Sequence, residues 1–363
     1  MYYLRPPKPW FLVLLLLITT TVTATDTSTT MPTQVTQEQF YADVVDNYTD
    51  VVNELVGGEV LSFSDEWFAE AKNLIKPGPP IQDLAKFIPA GKWYDGWETR
   101  RHNTEEADWV IFKMGVDSAQ LIGCEIDTSF FSGNYAPHIS VEAATDVTGD
   151  SYNWEPVIDK VECGPTRRQF FVRPCGLTKK SYTHVRLRMY PDGGIARFRL
   201  YGKVNPVFSS KSTGPVDFAA VGNGGVAIKC SDQHFSRASN ILLPGRGHDM
   251  SDGWETFRSR TPGHTDWVIV RLGATTVINK VVVDTAYFRG NFPQKVKVLA
   301  INTDNEKDLT PDSKWVEIVA PSKTTADKEH DFAVNNDQKF THVILHLIPD
   351  GGVKRLRVFG TPA

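Results

Sequence analysis

A five-residue string occurs twice in this chain, and its repetition constrains the fold more than any other feature. Asp95-Gly-Trp-Glu-Thr99 returns as Asp252-Gly-Trp-Glu-Thr256, 157 residues later. Asp108-Trp-Val-Ile111 returns as Asp266-Trp-Val-Ile269, and Asp127-Thr128 with Gly133-Asn134 returns as Asp284-Thr285 with Gly290-Asn291. THVRLRMYPDGGIARFRLYG (183–202) matches THVILHLIPDGGVKRLRVFG (341–360) at 11 of 20 positions. The order is kept and the offset stays at 157–158. Solenoid repeats run about 20–50 residues, so a period this long means duplicated domains.

Within each copy the signals are β. Val-Ile-Phe-Lys-Met, Lys-Val-Lys-Val-Leu and Arg-Phe-Arg-Leu-Tyr are short alternating or β-branched runs. Pro191-Asp-Gly-Gly194 and Pro349-Asp-Gly-Gly352 are turn formers, which suit a type I turn and a bulged hairpin. Many short strands without helical segments between them imply antiparallel sandwiches. The expected fold is therefore all-β: two tandem jelly-roll β-sandwich domains from an internal duplication. The repeats are expected over 60–203 and 226–363, with a Gly/Pro/Ser/Asn-rich linker at 204–225. Residues 25–59 read as a flexible leader followed by a helix, because Phe40, Val44, Tyr48, Val51, Val52 and Leu55 recur at helical spacing before Gly57-Gly58.

The extreme N-terminus carries a different signal. Arg5 and Lys8 precede an apolar run from Trp10 to Ile18, and Val22-Thr-Ala24 offers small residues for cleavage. This is the pattern of a secretory signal peptide over residues 1–24. Nine apolar residues are too few for a helix to cross a hydrocarbon core, which needs about 20, so no stable membrane span is expected. The chain ends Thr361-Pro-Ala363, which is no peroxisomal address. A secreted protein is the expectation. Cys124, Cys163, Cys175 and Cys230 permit disulfides in that compartment. Cys163 with Cys175 is the first pairing to test, against free buried thiols. Asn47-Tyr-Thr49 is a glycosylation sequon.

Composition removes other classes. Basic residues number 39 against 43 acidic, so no basic excess points to nucleic acid. No H-E-x-x-H, zinc-type spacing, G-x-S-x-G, P-loop or dinucleotide fingerprint occurs. No cofactor is evident. A divalent metal such as manganese stays open but has no ligand motif behind it.

Two duplicated clusters carry candidate chemistry. On a strand running from Asp95, a two-residue period puts Trp97, Thr99, Arg101 and Asn103 on one face and Glu98, Arg100 and His102 on the other. Both copies keep the Asp, Trp, Glu and Thr and one arginine, Arg101 or Arg258. The structural account has the tryptophans filling cores and the Glu and Arg pairing at sheet edges. The functional account has arginine forks binding a small carboxylate or ureido compound, with the glutamate in acid–base work. The second cluster runs from Asp127 to Asn134 and from Asp284 to Asn291, at loops on the sandwich rim.

These residues resemble the allantoicase family. Ser64-Asp-Glu-Trp-Phe-Ala69, Gly91-Lys-Trp-Tyr-Asp-Gly-Trp-Glu-Thr-Arg-Arg101, His264-Thr-Asp-Trp267, Phe288-Arg-Gly-Asn291 and both Pro-Asp-Gly-Gly turns carry the likeness, over about residues 60–361. The resemblance implies two galactose-binding-like jelly rolls, a homo-oligomer, and hydrolysis of allantoate to (S)-ureidoglycolate and urea in purine degradation. It also makes Arg101, Arg258, Arg289 and Arg355 candidates for the substrate carboxylate, with Asn134 and Asn291 beside them. Glu98, Glu255, Asp127 and Asp284 become acid–base candidates, with His102 an outside one. The copies differ at Arg100 versus Phe257 and Ser132 versus Arg289. That asymmetry implies a single working copy, or a site between the copies. A secreted non-catalytic carbohydrate- or ligand-binding protein of the same fold is the alternative.

Overall fold

The two strings that betray the duplication form one structural unit in each copy. A computed structural model describes residues 31–145, 147–148, 151–208 and 214–363; the expected signal peptide lies outside the described residues. Trp97–Glu98 pairs antiparallel with Gly194–Ile195, and Trp254–Glu255 pairs in the same register with Gly352–Val353. Thr99 N–H donates to Gly193 O at 3.0 Å, and Gly193 N–H returns a bond to Thr99 Oγ1 at 3.3 Å. Thr256 and Gly351 repeat both bonds at 3.1 Å. Gly193 and Gly351 sit at φ 145° and 135°, where a side chain would be strained. A Cβ on Gly194 or Gly352 would meet the ring of Phe131 or Phe288 at 2.3 or 2.0 Å. Close ring packing, and not only the turn, therefore demands the second glycine.

Each unit closes one end of a β-sandwich. In the first repeat one sheet runs Thr33–Val35, Arg168–Val172, Ala119–Asp127, Arg197–Val204, Thr49–Asp50. The facing sheet runs Glu155–Glu162, His138–Ala144, His184–Tyr190, Asp108–Lys113, Glu59–Phe63. All pairings are antiparallel, and Trp97, Phe112, Leu121, Val141, Leu187 and Phe198 fill the space between. In the second repeat a single strand, Asp266–Asp284, serves both sheets. Its first part pairs with Val226–Cys230 and Lys339–Ile348, its second with Arg355–Pro362 and Glu329–Ala333. A separate core forms there around Trp254, Val270, Phe340, Leu345 and Leu356. The all-β, two-sandwich expectation describes this architecture.

Four local readings need correction. The Pro-Asp-Gly-Gly turns are not hairpins: the first carries the chain from a strand of one sheet (His184–Tyr190) to a strand of the other (Arg197–Val204), the second from Lys339–Ile348 to Arg355–Pro362 on the far side of Asp266–Asp284. Both prolines follow cis peptide bonds. The strand from Asp95 ends at Glu98, and His102 adopts φ 65°, so the alternation extended to residue 103 does not exist. The helix expected over 39–56 stops at Val45, after an α-helical start at Gln37–Phe40 capped by Thr36. The apolar residues divide instead. Phe40 and Val44 cover the outside of the sheet against Phe170 and Tyr201, while Val51 and Val52 enter the core. Sheet pairing wins because Val51 N–H reaches Leu200 O and Asp50 Oδ1 accepts from Leu200 N–H. Finally, all four cysteines are free; Cys163 is buried and Cys175 exposed.

Thr49–Asp50 and Val216–Asp217, like Thr33–Val35, belong to the sandwiches although they precede residues 60 and 226; the first two pair with Tyr201–Gly202 and Phe359–Gly360. Arg199 lies 3.6 Å from Asp50 and Arg357 lies 3.6 Å from Asp217, one buried contact duplicated. Among the described residues no helix is long and apolar enough to cross a membrane.

One buried group makes stability pH-dependent. His346 is 8% exposed, and burial, aided by Lys297, pushes its pKa down to about 4. The unfolded chain then binds more protons than the folded one between about 4 and 6.5, so stability is full above that window and lost as pH falls through it. Allowing for solvent at the ring edge, roughly 2 kcal/mol should disappear between pH 7 and pH 4.5. His346→Leu should flatten that part of the profile, read as urea unfolding midpoints at the two pH values.

Candidate active site

The two duplicated clusters meet at the sandwich rim. Asn134 Nδ2 donates to Glu98 Oε1 at 2.6 Å, and Asn291 Nδ2 donates to Glu255 Oε1 at 2.5 Å. The short strand fixes the glutamate and the Gly-Asn loop brings the amide. Neither pairing was visible in the sequence, where the residues lie 36 apart.

Around this shared pair the copies diverge. In the first, Arg101 Nη1 donates to Asp192 Oδ1 at 3.0 Å and Nη2 to Gly133 O at 3.2 Å, which ties the guanidinium across the loop next to Asn134. Glu98 is 7% exposed, and burial pushes its pKa up against the opposing pull of Asn134 and Arg101. His102 lines a depression with Arg101 and with Arg100, whose Nε donates to Asp65 Oδ1; Glu98 and Asn134 are not part of its lining. In the second copy Arg258 has no hydrogen bond or ion pair among the described residues. It lines an open depression of about 580 Å³ together with Glu255, Asn291, Tyr287 and Arg289, rimmed by Phe235 and Phe257. Arg289 is exposed, its Nε 3.4 Å from Asp327 Oδ2.

Three sequence candidates lie elsewhere. Asp284 accepts both arms of the Arg246 fork, at 2.8 and 2.9 Å, and the Ala286 N–H. Arg355 is 2% exposed and spends its donors on the carbonyls of Gly245, Asp252 and Lys354 and on the Asp252 carboxylate. Asp127 faces a cleft between the repeats.

The sequence reading missed Lys354. It is fully buried, contacts Asp252 and Asp249 O, and lies 5.0 Å from the Tyr287 ring. Burial, helped by Arg355, lowers its pKa to about 8. The signal was present: a lysine stands where the first copy has Ala196, at the bend between two short strands of the repeated string. It positions Tyr287, whose hydroxyl donates to Gly247 O at 3.1 Å.

The second depression offers two forked cations for a carboxylate, an amide and a carboxyl for ureido groups, and an aromatic rim. Among the described residues no three His, Cys, Asp or Glu side chains converge as a metal site. Arg258→Ala should raise KM about tenfold, the scale of one lost charge-assisted hydrogen bond. Arg101→Ala should leave KM near the parental value, because its donors already serve the protein.

Two sandwiches of common origin, each with a glutamate–asparagine pair at its rim, define a duplicated β-sandwich protein equipped to hold a small polar molecule. The chain belongs to the allantoicase family, whose repeat model ("Allantoicase repeat") matches residues 49–205 and again 216–363. It is 55% identical over 319 residues to the allantoicase of Saccharomyces cerevisiae, covering 86% of this chain and 93% of that protein. The allantoicase of Neurospora crassa is 53% identical over 324 residues, with 86% and 91% covered. The crystal structure of the Saccharomyces cerevisiae allantoicase superposes with a TM-score of 0.80 at 50% identity, over 91% of this chain and all of that one.

Proposed function

We propose that this protein hydrolyses allantoate to (S)-ureidoglycolate and urea, and that the reaction takes place in the depression of the second repeat. One observation carries that placement: Arg258 is unengaged beside the Glu255–Asn291 pair, whereas its counterpart Arg101 is tied down.

Allantoate carries a carboxylate and two ureido groups on one carbon. Arg258 and Arg289 take the carboxylate, since planar forks match its geometry. Asn291 holds Glu255 in place. The bond between the central carbon and one ureido nitrogen breaks, and that nitrogen needs a proton to leave as urea. Glu255, as the general acid, supplies it. The resulting carboxylate then takes a proton from the water whose oxygen forms the new bond to carbon. One carboxyl thus serves both half-steps and ends as it began.

The test is urea release from allantoate by the purified chain, run with a chelator and with added Mn²⁺. No urea above the uncatalysed rate under either condition would refute the reading. Export and self-association belong to the same proposal: residues 1–24 support the first and family membership the second. N-terminal sequencing from the native source and light scattering decide them.

A further inference from the structure

A second cavity, of about 540 Å³, lies between the repeats. One wall is the outer face of the first sheet, with Glu125, Asp127 and Arg168; the other belongs to the second repeat and includes Arg237. Nothing in the proposed reaction uses it.

Asp127 and Asp284 occupy equivalent positions and have equivalent backbone settings. Each ends a central strand, faces an arginine (Arg197 or Arg355) across the ladder, and caps the N–H two residues on, at 2.8 and 2.9 Å. On Asp284 the remaining acceptor capacity holds the Arg246 fork. Carbonyls align the surrounding loops. Gly78 O accepts from Arg197 Nε and Arg199 Nη2, as Gly245 O accepts from Arg355 Nε and Arg357 Nη2. The residue after Gly245 is Arg246, and the residue after Gly78 is Pro79. Asp127, 3% exposed, therefore presents the same carboxylate to the cavity without that fork. Its Oδ1 accepts from Ser129 N–H, and Arg168, opposite it on the neighbouring strand where Asp284 has Glu329, gives its donors to Glu125, Gln37 and Tyr41.

A carboxylate that faces a cavity has acceptor capacity to offer a ligand, and here the second repeat shows what fits: a planar group with two parallel N–H bonds. A ureido group, –NH–CO–NH₂, presents that pair. Across the cavity Arg237 lies 4.9 Å from the Tyr41 ring, with no hydrogen bond or ion pair among the described residues. Asp46 is within electrostatic reach of it, but the donors of its fork remain available to an anion. We propose that the cleft between the repeats is a second binding site, for a small ureido carboxylate, with Asp127 taking the ureido N–H pair and Arg237 the carboxylate. Asp127 and Arg237 carry the assignment, whichever site performs hydrolysis.

Ureidoacetate is a suitable probe, having one ureido group and one carboxylate but no second ureido group to expel. Titrated calorimetrically into the full chain, it should bind in a class of site that Arg289→Ala leaves intact. Pro79→Arg, which places the second repeat's fork on Asp127 from an exposed loop position, should weaken that class at least tenfold. Asp127→Asn should do the same, and a crystal soaked in the probe should show it on Asp127. Unchanged binding in folded Pro79→Arg, or soaked density only beside Glu255, overturns the proposal. Turnover separates the two assignments. A Pro79→Arg enzyme that loses the probe but keeps its rate supports a second site. One that loses both keeps the cleft as a ureide site and moves hydrolysis there, which refutes the second-repeat reading instead.

Discussion

Glu255→Gln should lower kcat for urea release about 100-fold or more, while Glu98→Gln should keep kcat within a few-fold of the parent. The first figure is the ordinary scale for losing a positioned acid–base group. Glutamine keeps the shape and the carbonyl oxygen that accepts from Asn291, so the substitution removes proton transfer and little else. Its neighbours Arg258 and Arg289 still bind the substrate, so KM should move much less than kcat. Glu98 has the same amide partner but a different setting: it is buried, and Arg101 is committed to Asp192 and Gly133. Its role there is to hold the rim together. Steady-state rates on folded variants, with the circular dichroism spectrum and melting temperature matched to the parent, decide the matter. Equal losses in the two variants, or a larger loss in Glu98→Gln, would reverse the assignment of labour between the repeats.

Much of this arrangement was legible because the duplication supplied an internal comparison. Asp-Gly-Trp-Glu-Thr and Pro-Asp-Gly-Gly stood out as separate strings, and each copy joins them by the same two-residue pairing and the same threonine–glycine bonds. Repetition therefore marked contact, although the sequence alone did not say with what. Local periodicity served less well. Alternation past Glu98 failed because the backbone turns at His102 through a left-handed conformation that hydrophobic patterning does not report. The helical spacing at 40–55 was real, yet it summed two different burials, one outside the sheet and one inside it. Asn134 and Asn291 were expected at the substrate from their repetition on the rim, but only the fold laid them on the glutamates. The cleft between the repeats had no signature at all. Its chemistry depends on Pro79 replacing Arg246, a difference outside the matching strings, where alignment by eye gives no register.

Trp254→Ala should be the most destabilising single change in the second repeat, costing about 3–5 kcal/mol. The indole is fully buried in that repeat's core, and its Nε1 donates to Asp232 O at 2.8 Å. Truncation leaves a cavity that the flanking pairs cannot close, because Thr256 and Val353 are pinned on either side by the turn. It also leaves the Asp232 carbonyl without its donor. For a sandwich of roughly 150 residues that loss corresponds to a drop of about 10 °C in melting temperature. Trp97→Ala should do the equivalent in the first repeat, where Nε1 donates to Asp65 O at 2.7 Å. The two cores are separate clusters, so each variant should lower the transition of its own sandwich more than the other's. Scanning calorimetry should resolve two transitions in either variant, and Trp254→Ala alone should lose urea release along with the lower one. A single transition shifted equally by both substitutions would show that the sandwiches unfold as one unit, and that damage to one core is felt at both rims.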